Sequence, residues 1–467
     1  MNFTARRRSP IKHTAAVLLS AGALVAGFSA ISGASVQSHA GTAFGPYPPG
    51  GLTATQKAAA VKYVGGKAGA AKGTPVKVGW LNDESGTPAY PENTGGADLA
   101  VWFINTYLGG IKGHPIQLDK CYINVTSDAA SCAQQMVNDH VKVVITGTVI
   151  YGNSTMYSTL FAAHIPVLEG NSLTSGDFGA ANGTPGHPGS KVAAAFMPAS
   201  PGVVKGLAKF IGTGGTGSKP ASISVIYTTD PAASAAYALL FKTSKYLTGI
   251  KINGVGISAT AGSSDVQTAL VNAKVSSTKY LVTLIPVQSC ISVYDAMKTL
   301  NLLNSTKVVT TGLCFGKPMI DHLHGTLPNG WYFGEYGVNY FMYSKTDPAS
   351  VQLAVYIAAV HSHEPSNFEY TGFAAPSFGN VMVIDKFYNQ LGLSATSAQL
   401  GSTIWNFKGP QWGLPSTQKC GFFSFLPSIC SASIGVSQYS GGKWYAIQDS
   451  YNKKLINAFT GCRRLNA

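Results

Sequence analysis

A chain of 467 residues, 45% hydrophobic and 11% charged, is long enough for two or three domains with sizeable cores. So little charge beside so much apolar surface excludes a disordered chain, in which high charge prevents collapse. The formal net charge is +14, yet lysine and arginine are scattered, without a basic run or basic–aromatic interleaving, which argues against a nucleic-acid partner. Such a charge serves solubility or attraction to an anionic envelope.

The first 40 residues read as an export signal. "MNFTARRRSPIKH" carries Arg6, Arg7, Arg8 and Lys12 and no acid, "TAAVLLSAGALVAGFSAISGA" is apolar and small, and cleavage is expected after Ala34 or Ala40. The competing reading is a membrane anchor, which needs about 20 apolar residues. No cysteine follows for a lipid, and "RRSPIK" only faintly matches a twin-arginine signal. Removal of residues 1–40 leaves 29 basic against 19 acidic residues, a net charge of +10. An exported chain can oxidise its cysteines. The spacings point to Cys121–Cys132, Cys290–Cys314 and Cys420–Cys430 with Cys462 left over, although spacing alone does not fix connectivity.

Residues 41–75, rich in Gly, Ala, Pro and Lys, read as a linker with a short helix near 54–63. From Val76 short apolar runs alternate with amphipathic stretches. The runs are "VKVGWL", "PIQLDKCY", "VKVVITG", "IPVLEG", "SISVIYTT", "IKINGVGIS", "KYLVTLIP" and "TKVVTTGL". Helices are expected near 95–108, 127–139, 154–163, 201–211, 232–247, 264–273 and 290–302. This rhythm predicts βαβ units and parallel sheets, whose strands are apolar on both faces. Two prolines near residue 198 interrupt it, so two α/β lobes are expected. After "LPNGWYFGEYG" the pattern turns helical over 348–361, 371–391 and 395–404, and "SIGVSQYSGGKWYAIQ" reads as a hairpin.

Several motifs fail on context. "GTGGTG" at 212–217 follows a helix and precedes a strand, the reverse of a dinucleotide site, so it reads as a loop. His322-x-His324 and His361-x-His363 lack the further ligands of a zinc site, and Cys-x-x-Cys is absent. Neither a metal nor a cofactor is expected, and no nucleophile–base motif marks an enzyme.

Ligands bind outside the carboxyl ends of parallel strands. The polar segments there are 82–90, 148–155, 170–175, 228–234, 286–290 and 313–317. Each alone is readily explained as helix capping; six converging at one sheet edge make a site. The loop 82–90 lacks the glycine spacing and lysine of a phosphate loop and reads as a cleft wall, with Tyr90 a lid. Candidate ligand contacts are Ser85, Tyr90, Tyr151, Asn153, Ser154, Ser172, Thr174, Asp230, Gln288 and Cys314. "GNST", which opens a helix, suits an anion such as a carboxylate.

In the order of its blocks the chain resembles the type I periplasmic solute-binding proteins of branched-chain amino acid transporters. "VKVGWLNDESGTPAY", "GGADLAVWFINTYLGGIKGHPIQL", "CYINVTSDAASCAQQMVND", "LPNGWYFGEYG" and "YTGFAAPSFGNVMVIDKF" carry the resemblance, while 175–193 and 411–432 depart from it. It implies two Rossmann-like lobes with parallel central sheets joined by three crossovers, here 76–199 with 336–408 and 200–335 with 409–458, followed by a tail at 459–467. Hinges would fall near 198–201, 334–337 and 406–410. It implies a small-molecule ligand, an amino acid or related carboxylate or amide, delivered by a monomer to the permease subunits of an ABC importer. Asn153, Ser154, Ser172 and Thr174 would hold a carboxylate. Amino-acid binders carry an acid in the loop that here reads "TGLCFGK", where Leu313 and Cys314 stand instead. Asp230 is then the candidate ammonium partner, or the ligand lacks an ammonium. A ligand-sensing module and a secreted hydrolase are the competing function classes.

Overall fold

The computed structural model describes residues 50–458 apart from 181–182, 185–186, 189–192, 336–338, 340, 343–344, 415–416, 422–425, 432 and 449–454. The expected signal segment, the tail 459–467 and Cys462 lie outside the described residues.

The apolar runs form two parallel sheets. Strands β1 (Val76–Asn82), β2 (Ile116–Tyr122), β3 (Val144–Thr146), β4 (Val167–Glu169) and β5 (Ala193–Ala195) form the first, in the order β2-β1-β3-β4-β5. Alternation along β1 serves both faces. Val78 and Trp80 enter the core beneath helices α2 (Glu92–Tyr107) and α9 (Ala374–Leu391). Leu81 points the other way, toward α3 (Asp128–Asn138) and α4 (Asn153–Ala162). This two-sided burial is what period-2 geometry demands of a strand covered on both faces.

The second sheet runs β12-β11-β10-β9-β8-β6-β7. Its strands β6 (Ser222–Thr228), β7 (Lys251–Ile257), β8 (Tyr280–Leu284), β9 (Lys307–Thr311) and β10 (Tyr332–Glu335) pair in parallel, and the hairpin β11 (Ser433–Ser440) and β12 (Lys443–Gln448) adds to it antiparallel. Gly441 and Gly442 turn that hairpin at φ +58° and +74°, values that glycine adopts without strain. One face packs on α5 (Ala199–Gly212), the other on α6 (Ser263–Asn272) and α7 (Val287–Thr299).

The structure differs from expectation in four places. The expected linker is built into the fold from α1 (Ala54–Val64), whose Ala60 and Val64 are buried and whose Thr53–Gln56 capping box closes its first turn. The expected helix 232–247 breaks into a turn at Pro231–Ala235, a π-helical stretch at Ala236–Phe241 and a 3-10 turn at Lys245–Leu247. There the Tyr237 ring stacks on Tyr227 at 4.2 Å, a tertiary contact made where this Ala- and Leu-rich run would by propensity alone form a regular helix. Strand β5 is a run of three alanines that carries no β signature. The third crossing comes late: Ile429 pairs in parallel with Ala195, so the chain leaves the first sheet between Cys430 and Ser433 rather than at 406–410. The first two crossings follow β5 and β10, before α5 and α8 (Pro348–His363). All three expected disulfides are present, Cys121–Cys132, Cys290–Cys314 and Cys420–Cys430.

The Gly-rich start of α2 has a packing reason. A Cβ on Gly96 would lie 2.0 Å from the Ala374 carbonyl oxygen, so glycine is what lets α2 close on α9. Lower on α9, Asp385 is fully buried and accepts from Asn389 Nδ2 at 3.1 Å. Burial pushes its carboxyl up to about 8, above the ordinary value of about 3.9 in an unfolded chain. A raised native pKa makes stability greatest below the unfolded value, and stability is lost as pH rises toward 8. Asp385→Asn should therefore flatten the fall in urea midpoint between about pH 5 and about pH 8. A variant whose midpoint falls as steeply as the parent's over that range would contradict the assignment.

Candidate functional site: the cleft between the sheets

The carboxyl ends of both sheets face a cleft. Its first cavity, about 410 Å³ with its open mouth, is lined by Tyr90 and Leu173 from one side and by Asp230, Leu284, Thr311 and Leu313 from the other, with Ser200 and Val204 of α5 between. A second cavity of about 610 Å³ adjoins it and shares Tyr90 and Leu313. Glu92, Glu369, Val287, Gln288 and Pro318 complete that second wall. Five of the six expected segments supply lining residues; 148–155 supplies none, though its Ile150 packs in the same cluster as Tyr90 and Leu173.

Tyr90 is placed by its backbone. Its carbonyl accepts from Asn82 Nδ2 at 2.9 Å and Asn93 Nδ2 at 3.1 Å, and its amide donates to the Asp83 carbonyl. Asn93 Nδ2 also donates to Thr148 Oγ1, and Asn93 Oδ1 accepts from Asn171 Nδ2 and Ser377 Oγ. Asn82, Asn93, Thr148 and Asn171 are all buried. The ring of Tyr90 packs on Phe373, 5.9 Å between centroids.

The expected contacts separate into groups. Tyr90, Asp230 and Gln288 line the cavities. Gln288 Nε2 also reaches across the cleft to the Ala89 carbonyl at 3.3 Å. Tyr151 packs beside the cluster of Tyr90, its hydroxyl donating to the Thr87 carbonyl at 2.7 Å. Ser85 is exposed and bound to Asn124, and Ser154 is exposed; neither is among the residues lining these two cavities. Cys314 is fully buried and spent in its disulfide, so its sulfur is no ligand donor. That disulfide ties the loop after β9 to the first turn of α7, two segments that both face the cleft.

Asn153, Ser172 and Thr174 come together, but around the protein's own carboxylates. Asp177 accepts from Asn153 Nδ2 at 2.9 Å, Tyr157 Oη at 3.0 Å and the Leu173 and Thr174 amides at 2.9 and 2.8 Å. Ser172 Oγ donates to Glu169. Burial, and then the Asp177 charge, push Glu169 well above the usual carboxylate range. Burial raises Asp177 too, against the pull of its donors. Of the two carboxyls Asp177 accepts the more hydrogen bonds, which offset part of its burial. Asn153 and Thr174 thus serve the chain's own Asp177, and Ser172 its Glu169.

Sequence reasoning missed Glu92, Glu369, Leu173 and Thr311. Glu92 looks like an ordinary first-turn acid of α2, favourable at a helix start. Burial pushes it up to about 8. Glu369 is also raised, by burial first, while Thr371 and Lys317 lower it. Asp83, fully buried, is raised to about 8 by burial, with one carboxyl oxygen accepting from the Ile150 amide at 2.7 Å. Of the two histidine pairs, His322 contacts Asp295 at 2.9 Å and His363 stacks on Trp102.

The profile of the periplasmic binding protein family matches residues 75–378. The chain belongs to that family. No curated protein matches the sequence. Solved structures share the fold. The branched-chain amino acid substrate-binding protein LivJ of Streptococcus pneumoniae, in complex with isoleucine, superposes with a TM-score of 0.62 at 16% identity, over 80% of this chain and 98% of its own. An ABC-transporter solute-binding protein of R. palustris, in complex with 4-hydroxybenzoate, gives 0.63 at 14%, over 80% and 95%. The leucine-binding protein LivK of Thermotoga maritima gives 0.61 at 12%, over 82% and 99%. The fold expectation is thereby met: two α/β lobes with parallel central sheets.

Because Ser172 serves Glu169, Ser172→Ala should lower stability at neutral pH by about 1–3 kcal/mol, the cost of leaving a buried partner unsatisfied. Chemical denaturation measures it. An unchanged midpoint would return the hydroxyl to the pool of ligand contacts.

Proposed function

We propose that the chain is an extracytoplasmic solute-binding protein, a binder and not an enzyme, which hands a small molecule to the permease of an ABC importer. The observation that carries this reading is the cleft. It lies outside the carboxyl ends of both sheets, where open α/β folds bind ligands, and its walls come from both. Family membership supports it, as does the occurrence of small apolar carboxylates in structures of the same fold, isoleucine in LivJ and 4-hydroxybenzoate in the R. palustris protein. Among the described residues no helix is long and apolar enough to cross a membrane.

We read the lobes as moving about the three crossings, with Tyr90 and Leu313, which pack in one cluster here, parting as the cleft opens. Loop and proline residues there absorb the torsion changes. We read residues 1–40 as an export signal and the protein as an extracytoplasmic monomer. A ligand present at about 100 times its dissociation constant should stabilise the protein by about 2.7 kcal/mol, visible as a thermal shift. The same ligand should reduce the radius of gyration in small-angle scattering. A ligand that shifts the melting temperature without compaction would refute lobe closure; binding of none of a broad panel of small solutes would refute transport.

A further inference from the structure

Lysines scattered along the sequence are gathered by the fold. Lys219, Lys251, Lys279 and Lys307 recur at separations of 32, 28 and 28 residues, one strand–helix unit each. Lys251 and Lys307 open β7 and β9, and Lys219 and Lys279 stand just before β6 and β8. These four strands are neighbours in the order β9-β8-β6-β7, in a parallel register that pairs Lys251 with Ser222 and Lys307 with Tyr280. All four lysines are exposed. Strands lie about 4.8 Å apart, so the four side chains border one edge roughly 14 Å long. It is the amino edge of the second sheet, opposite to the cleft.

Lys242, Lys274 and Lys298, also exposed, stand where the π-helical stretch, α6 and α7 run out toward this edge. The helix dipole accounts for cations at helix ends; it does not account for the row at the strand starts. The segments that meet here, 209–222, 242–253, 272–281 and 298–309, hold nine lysines and no Asp or Glu. Acids of the same half stand elsewhere. Asp230, Asp265 and Asp321 follow the carboxyl ends of β6, β7 and β9, and Asp295 pairs with His322. None of the ion pairs among the described residues includes one of these seven lysines. Lys219 and Lys307 donate to the Thr248 and Thr216 carbonyls at 3.3 and 2.5 Å, and an ammonium with three N–H donors keeps others for an anion. An independent sign is apolar. Leu239 and Val271 are 52% and 63% exposed, and each stands three residues before a lysine of this edge, Lys242 and Lys274.

We propose that the amino edge of the second sheet is a docking surface for a membrane with anionic phosphate headgroups. The lysines meet the phosphates, and Leu239 and Val271 enter the boundary between headgroups and acyl chains. The proposal concerns a face remote from the cleft and rests only on the extracytoplasmic location read above. Side-chain type decides the partner. Residues 9–462 contain no arginine, the residue that recognises fixed phosphates through two parallel hydrogen bonds. Lysine, a hydrated point charge, suits a fluid surface whose anions rearrange around it. A single-stranded nucleic acid stacks on open aromatic faces, whereas the tyrosines at this edge, Tyr246 and Tyr280, are half-buried. Apolar side chains among cations add the burial that an interfacial site uses.

Vesicle co-sedimentation of the full chain tests this with phosphatidylcholine alone and with an equal mixture of phosphatidylcholine and phosphatidylglycerol. The chain should bind the anionic vesicles more tightly than the neutral ones and release them as ionic strength rises past about 0.3 M. Lys219→Gln, Lys251→Gln, Lys279→Gln and Lys307→Gln combined should weaken that binding by at least about tenfold, each lysine near an anionic surface being worth about fivefold. The same change of charge at Lys62, Lys67, Lys72 and Lys112, exposed in α1 and in the segments leading into β1 and β2, should weaken it far less. All these chains share residues 1–40, so the difference between the two sets belongs to the edge. Circular dichroism and melting confirm that each variant is folded. Lys251→Glu, a single exposed change, should by itself weaken binding by at least about fivefold and keeps the test decisive if the combined variant misfolds. Leu239→Ser with Val271→Ser should weaken binding by about threefold or more and leave its salt dependence intact. Equal weakening by the two lysine sets reports net charge alone and overturns the assigned face. Absence of binding at low salt, equal binding to neutral vesicles, or tighter binding to a single-stranded oligonucleotide overturns the membrane partner. None of these outcomes bears on the cleft, which the thermal-shift panel tests by itself.

Discussion

The cleft depends on how the Tyr90 carbonyl is held. Two buried amides, Asn82 at the end of β1 and Asn93 in the first turn of α2, converge on that one oxygen. The same Asn82 accepts the Thr148 amide after β3, and the same Asn93 accepts from Asn171 after β4 and Ser377 in α9. A single network thus fixes the carboxyl ends of three strands relative to two helices. Buried amides of this kind are costly unless every partner is present, so the network tolerates one arrangement. Tyr90 is the residue that this arrangement presents to the second sheet.

The second sheet presents its wall by a different device. The Cys290–Cys314 disulfide joins the start of α7 to the loop after β9. Leu313, next to the bonded cysteine, then stands in both cavities with Tyr90. One wall is held by hydrogen bonds and the other by a covalent link, and both are anchored at strand ends.

Carboxyls recur through this fold with little cationic compensation. Asp83, Glu92 and Asp385 are each pushed to about 8 by burial, and Glu169 and Asp177 share an apolar setting beneath the first sheet's edge. Some of these, Asp385 and the Glu169–Asp177 pair, are structural: they satisfy amides and hydroxyls between elements. Glu92 and Glu369 differ because a cavity opens onto them. The same chemistry therefore serves packing in one place and faces solvent space in another, and only position distinguishes the two.

The sequence by itself determined the parallel strands and the family, and its cysteine spacings pointed to the disulfide partners that the structure shows. Strand periodicity and apolar runs follow from local geometry, and "TKVVTTGL" or "VKVVITG" has few other ways to bury its side chains. The short spacings of the cysteines made local bridges natural. It also marked the strand ends as the candidate ligand site. Which way the polar side chains at those ends point was decided by tertiary structure. Asn153, Ser172 and Thr174 read as ligand donors because hydroxyls and amides at a helix start suit an anion; that the anion is Asp177, three residues beyond Thr174, depends on a tight capping turn and a buried partner, Glu169. Glu92 and Glu369 are 277 residues apart and neither belongs to a motif. Their meeting in one wall exists only once α9 has closed on α2 across Gly96, because a pairing made by packing leaves no periodic trace in the chain.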